Sequence, residues 1–352
     1  MHNTNQYIPK KQLLSHEHLN NITENKVFNK KMGWEIAQYQ EQQSIKHRMR
    51  FKAKELKASL WALAVLSIVF GLSCWLATTP FNSTPGIVSN QWNIIWSVTL
   101  LAMIFEFLDS AAGMGYGTAF TPLLLIFGYE PLQIIPAIMI QQASAGLTSA
   151  YIHKEYGNVE WHIHPISETV KLWLIIASMG ILAGVFSITS VYGLLHVAQV
   201  WIKLYVVVLL LAMGIISLIN AKKVPTYHPK RMFFFGALAG FNKGIGGGGY
   251  GPVVTIGGLF SGVPAKTMMA ITAFAEGTVC IASIITWFCL LNHGVVINFI
   301  LLPSMILGSI FAVIAAPYAI RVFPEKMWKK LVPLYCCILA ILCLWKLIPS
   351  LF

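Results

Sequence analysis

From residue 58 onward the chain alternates long apolar runs with short polar interruptions, and most of the runs are close to 20 residues long. A helix of about 20 residues crosses a hydrocarbon layer about 30 Å thick. The pattern therefore predicts spans at about 58–77, 132–152, 169–191, 198–219, 266–291, 295–318 and 331–349. Two other apolar stretches, 94–128 and 232–260, are broken by glycine. The first breaks at Asp109-Ser110-Ala111-Ala112-Gly113-Met114-Gly115-Tyr116-Gly117, with Thr121-Pro122 after it. The second breaks at Asn242-Lys243-Gly244-Ile245-Gly246-Gly247-Gly248-Gly249-Tyr250-Gly251-Pro252.

Charge sorts the spans by side. Residues 1–57 hold eleven Lys/Arg and five Asp/Glu, so a basic polar tail precedes the apolar body. Loop 79–93 has no charged residue, whereas loops 220–231 and 321–330 are basic. Lys and Arg mark cytoplasmic loops, which puts the N-terminus inside and the C-terminus outside an inner (plasma) membrane of bacterial type. Within the tail, 44–57 interleaves basic residues with Ile45, Met49, Phe51 and Leu56. That pattern suits a short helix on an anionic leaflet and equally a solvated linker. The start of the chain lacks the apolar core of a signal peptide.

Counting sides gives two halves, 94–220 and 231–350, each with one broken element followed by three spans, after an extra span at 58–78. The halves enter from opposite sides. The expected fold is an all-α polytopic membrane protein built from two inverted-topology repeats, a design that places a transporter's substrate site on discontinuous helices near the midplane. Internal similarity agrees: Gly113-x-Gly115-x-Gly117 with Pro122 parallels Gly244-x-Gly246-Gly247-Gly248 with Pro252, although the glycine-to-proline spacings differ by one. Gly128-x-x-Pro131 parallels Gly262-Val263-Pro264, and His153 with Gly157-Asn158-Val159 parallels His293-Gly294-Val295.

Free backbone groups in hydrocarbon are costly, so a break implies protein packing or a wet cavity around it. Thr121-Pro122 and Gly251-Pro252 suit helix starts, whose N–H groups attract anions. The alternative is that the glycines serve only tight helix crossing. Four ionisable residues fall inside the apolar body: Glu106, Asp109, Lys243 and Glu276. Intramembrane charge is a functional candidate by default. Lys243 is the candidate for attracting an anion or for an ion pair with one of the acids. Glu276, then Asp109, are candidates for proton coupling, and Glu106 is expected near a helix end. Gln141, Gln142, Ser144, Thr148, Ser149 and Thr272 could line a cavity or bond between helices. His153 and His293 read as interface residues.

Composition removes other classes. Only 11% of residues are charged, against about a quarter in soluble domains. The net charge of +12 sits mostly in tail and loops, with no nucleic-acid motif beside it. The six cysteines (74, 280, 289, 336, 337 and 343) lie in apolar runs without metal-site spacing and read as small hydrophobes. No protease, zinc or phosphate-loop signature appears, so neither an enzyme nor an ATP-driven pump is expected.

The doubled glycine/proline motif and the paired Gly/Pro elements after it resemble the TauE/SafE, or sulfite-exporter-like, family of membrane permeases over about 94–350. Tyr116, where that family commonly has glycine, and the shorter second spacing depart from the pattern. The resemblance implies transport of sulfur oxyanions or organosulfonates such as sulfite or sulfoacetate, often outward, with coupling to the proton gradient. It carries substrate contact to Gly113, Gly115, Gly117, Pro122, Gly244, Gly246, Gly247, Gly248 and Pro252. The roles of Lys243, Glu276, Asp109, Gln142, Ser144 and Thr272 rest on burial and charge. A passive anion channel and a carrier for another small organic anion are the alternatives. The expected partners are a small anion and the lipid bilayer, with no cofactor, no metal and no nucleic acid; the oligomeric state stays open.

Overall fold

The computed structural model describes residues 32–78, 93–113, 116–191, 226–291 and 298–347, with six scattered positions between 204 and 219. Every regular element among them is helical. Most of the expected span at 198–219, Gly115, His293-Gly294-Val295 and most of the uncharged loop lie outside the described residues.

Two short helices, α1 (Glu35–Gln42) and α2 (Ile45–Met49), precede the long apolar α3 (Ala53–Thr78). The first half then runs α4 (Trp96–Ala112), a π-turn (Tyr116–Phe120) continuing into α5 (Thr121–Ile126), α6 (Pro131–Glu155) and α7 (Glu168–Ile188). The second half runs α8 (Arg231–Gly246), α9 (Tyr250–Phe260), α10 (Ala265–Leu291) and α11 (Leu302–Val322), and α12 (Glu325–Leu347) follows. Among the described residues, four helices are long and apolar enough to cross a membrane: Ala53–Thr78, Glu168–Val191, Ala265–Leu290 and Leu302–Val322. The span expected at 295–318 starts later, at Leu302, where Pro303 occupies the first turn, a position proline favours.

Helix boundaries in the two halves keep one register, 134 residues apart. Ala112 and Gly246 end α4 and α8; Glu168–Ile188 corresponds to Leu302–Val322 end for end. Gly113 and Gly247, both left-handed at φ 66° and 69°, cap α4 and α8. Each cap donates its N–H four residues back, to the carbonyls of Asp109 and Lys243. Gly128 and Gly262, at φ 88° and 81°, close the short helical segments that begin at Tyr116 and Tyr250.

This register corrects the motif pairing read from the sequence. Gly113 pairs with Gly247 rather than Gly244, so Pro122 and Pro252 are not equivalent. The helix starts also move: α9 begins at Tyr250 behind Gly249, and the first half turns helical at Tyr116. The left-handed glycines terminate the preceding helices, and the new helix starts as soon as they are passed. Proline only marks the first turns.

Packing exchanges helices between the halves. One core joins α4, the π-turn and α6 to α11 through Val98, Tyr116, Phe120, Ile138 and Met305. The other joins α8, α9 and α10 to α7 through Leu172, Ile176, Ala239, Val253 and Ile271. α6 and α10 cross in the middle, where Gly146 lies against the Ala273 carbonyl and Gly277, a small-residue contact that lets backbones approach. Trp61, Ile68, Trp75, Leu182, Phe186, Phe234 and Phe311 instead face outward, each more than half exposed. An apolar outer face with polar groups kept inside is the arrangement a lipid solvent selects.

The chain before α3 is not a solvated linker. Trp34 is buried against Tyr227 and Glu41 pairs with Lys266 of the helix body, while Glu55, in the first turn of α3, pairs with Arg321.

Candidate functional site

The four ionisable residues converge, although 170 positions separate the first from the last. Asp109 and Lys243 occupy the last turns of α4 and α8, just before the two left-handed glycines. Glu276 comes from the middle of α10 and Gln142 from the middle of α6. Lys243 is fully buried and pairs with Glu276 at 2.7 Å. Its ammonium also donates to the Gln142 carbonyl oxygen. The Gln142 amide nitrogen donates to Glu276 at 3.0 Å and to Asp109 at 3.2 Å. Asp109 and Lys243 are 134 apart, and so are Gln142 and Glu276, so the centre is a quartet of two corresponding pairs.

A second layer adjoins it. Glu106 is not at a helix end; it is 2% exposed, well inside α4. Ser110 Oγ and Gln141 Nε2 each donate to its carboxylate at 2.7 Å, and Gln141 Nε2 also lies 2.6 Å from Ser309 Oγ. A small cavity opens against both layers, lined by Glu106, Asp109, Ser110, Gln142, Gly146, Ala273 and Glu276. Three carboxyl groups thus share one buried ammonium. Buried charges need partners, and here carboxyls outnumber cations.

The glycine breaks lie next to this cavity but do not line it. They pack on one another. A Cβ on Gly117 would strike the Gly247 carbonyl oxygen, and one on Gly248 would strike the Gly117 carbonyl oxygen. Gly244 is pressed against Ser187 and Gly184 of α7. The backbone N–H of Gly249 is taken by Thr118 Oγ1 at 2.8 Å. Thr255 Oγ1 donates to the Gly113 carbonyl at 3.0 Å and meets Thr272 Oγ1 at 3.0 Å. Thr121, the residue corresponding to Thr255, faces Gly247 in turn. The described glycines of the breaks therefore pack the two halves together, and the Gly249 N–H is already engaged by Thr118.

Other expected residues fall elsewhere. Ser144 and Thr148 donate to carbonyls of their own helix, at Gln141 and Ser144, and stay out of the quartet. Gly246 ends α8, Pro252 is buried in the first turn of α9, and Pro122 is the second residue of α5. His153 is fully buried, with Nε2 3.2 Å from the Ser110 carbonyl and Nδ1 3.0 Å from Asn158 Nδ2. It fastens α6 to the end of α4, where helix carbonyls lack internal partners. Reasoning from sequence missed Ser110, Ser309, Thr118 and Thr255. The 134-residue register would have pointed to Thr255, the counterpart of Thr121.

Membrane-length apolar helices, an apolar exterior and a charged cluster sealed at the meeting of two broken elements define an integral membrane transporter. The family model described as sulfite exporter TauE/SafE matches residues 98–343, and the chain belongs to that family. Over 164 residues it is 29% identical to the probable membrane transporter protein YtnM of Bacillus subtilis (strain 168), covering 44% of this chain and 51% of that protein. The chain thus spans about half the length of the curated relative it matches. No solved structure matches it.

Proposed function

We propose that the chain is a secondary carrier of small anions, with sulfur oxyanions and organosulfonates as the substrate class, driven by the proton gradient. The single observation that carries the reading is the Lys243–Glu276 pair, set at a cavity with Asp109 and Glu106 where the two broken elements meet. An anion entering this site competes with Glu276 for Lys243. The displaced carboxylate then needs a proton, because a second anion beside it would leave buried negative charge uncompensated. Anion and proton are bound together for that reason. The family description, sulfite exporter, supports the substrate class.

The repeats are inverted in this reading. The common register and the exchange of helices between the cores support it, since a two-fold relation makes contacts reciprocal: Gly113 faces Thr255 while Gly247 faces Thr121. Rocking of one half on the other about the quartet would expose the site alternately to each side. The N-terminus is cytoplasmic, the C-terminus outside, and the membrane the bacterial inner membrane. The basic tail and loops support the placement of the two termini.

Proteoliposomes test this directly. Labelled sulfite or sulfoacetate should enter saturably, show counterflow and respond to an imposed pH gradient. Lys243→Ala should abolish uptake, while Lys171→Ala, at an exposed position, leaves it unchanged. Glu276→Gln should lose gradient-driven uptake and keep anion exchange. Absence of saturable flux for any anion of the class refutes the substrate; flux without saturation or counterflow identifies a channel instead.

A further inference from the structure

The segment before α3, together with the first turns of that helix, has two chemically distinct faces. Its inner face is a set of satisfied ion pairs. Glu41 binds Lys266 at the start of α10 (2.6 Å) and Arg48 (3.4 Å), and accepts the backbone N–H of Glu325 at the start of α12. Glu55 binds Arg321 near the end of α11 at 2.7 Å, and the Arg321 guanidinium lies 5.1–5.5 Å from the rings of Phe51, Tyr156 and Tyr318. Gln40 donates to the Tyr156 carbonyl after α6, and the carbonyls of Met32 and Gly33 accept from the N–H of Thr169, in the first turn of α7, and of Glu160, in the loop before it.

The outer face has one sign of charge. Lys46, Arg50, Lys52 and Lys57 are exposed, and none has a salt bridge among the described residues. Between them stand Ile45, Met49, Phe51 and Leu56, each at least half exposed. Among the described residues of this stretch, Glu41 and Glu55 are engaged in the inner pairs and Glu35 accepts the backbone N–H groups of Met32 and Gly33, so none of these three carboxylates pairs with the outer cations. Three residues, 50–52, connect Met49 to Ala53, the first residue of a membrane-length helix, which keeps α2 within about 14 Å of that helix's first turn. Cations and apolar side chains interleaved at that height match the headgroup layer of an anionic leaflet.

We infer that residues 44–57 bind anionic phospholipid headgroups through this outer face. The inner face then makes the bound lipid a clamp on the ends of α6, α10, α11 and α12. The inference does not depend on the substrate proposed above.

The test uses the full chain in vesicles of phosphatidylcholine alone or mixed with phosphatidylglycerol, read by amide hydrogen exchange over residues 44–57. Each basic residue at an anionic surface favours the bound state several-fold, so phosphatidylglycerol should slow exchange there by at least about ten-fold. High salt should erase the difference in the unmodified chain. Replacing the four outer cations together (Lys46→Gln, Arg50→Gln, Lys52→Gln, Lys57→Gln) should abolish it. Equal exchange in the two vesicles, a difference that survives high salt, or one that persists in the substituted chain would each overturn the proposal.

Discussion

The two broken elements share a backbone plan and differ in what they carry. Each has a helix ending at a left-handed glycine, then an eleven-residue helical segment, then a second left-handed glycine. On this common frame the first half places Asp109 and Gln142, and the second places Lys243 and Glu276. The difference matters because both Asp109 and Lys243 sit at helix C-termini, where the dipole favours a cation and opposes an anion. Lys243 is at home there. Asp109 is held by the Gln142 amide and by its nearness to the ammonium. The common 134-residue register describes the frame; the charge difference leaves a cation on one side of the crossing and acids around it.

The sharpest way to break this comparison is to remove its cation. Lys243→Met leaves Glu276 and Asp109 buried beside no positive charge. A buried pair that loses one partner costs about 3–5 kcal/mol, and thermal unfolding in detergent should register a loss of that size. Asp109→Asn should cost less, about 1 kcal/mol, because its amide can still bond to Gln142. Exchanging the two (Asp109→Lys with Lys243→Asp) should recover stability beyond either single change, since the frame treats the positions alike. A double variant no better than the worse single one would disprove the equivalence.

Next in size are the glycines where the halves touch. Gly117→Ala and Gly248→Ala push a methyl into backbone, which cannot rotate away, and each should cost about 1–3 kcal/mol. The closing glycines sharpen the contrast. Gly128 and Gly262 share a positive φ, so alanine at either pays about 1 kcal/mol in strain. A Cβ on Gly128 meets open space, whereas one on Gly262 meets the backbone of Thr226 and Tyr227. Gly262→Ala should therefore be the more damaging by at least about 1 kcal/mol in the same unfolding measurement. Equal costs would mean that strain alone acts there.

Much of this plan was legible in the chain. Apolar run lengths marked the long helices, glycine clusters marked both breaks, and sparse intramembrane charge singled out Glu106, Asp109, Lys243 and Glu276. Their convergence was not legible, because it depends on α6 and α10 crossing at Gly146 and Gly277, and nothing in hydropathy encodes which spans cross. Pairing Gly113 with Gly244, the first glycine of the second cluster, misreads the register of the repeat by three residues. The left-handed caps Gly113 and Gly247 are the true anchors, and glycine gives no sequence sign of which φ it adopts. The clasp before α3 was legible only as charge alternating with apolar residues; its ion pairs join positions more than 200 residues apart.

The smallest expected effect concerns Asn242, one position before Lys243. Its counterpart in the first half is Leu108. Asn242 is fully buried, and neither atom of its amide has a hydrogen-bond partner among the described residues. It lies against Gly249, at the start of α9. A buried amide left unpaired costs about 1–3 kcal/mol, so stability alone would favour the residue its counterpart has. Asn242→Leu copies the first half at similar volume and should be neutral or stabilising by up to about 1 kcal/mol. If anion uptake falls while unfolding moves to higher temperature, the amide is kept for the transported ligand, a trade common at functional sites. If uptake is unchanged, Asn242 is a plain difference between the halves and the asymmetry that matters is confined to the charged quartet.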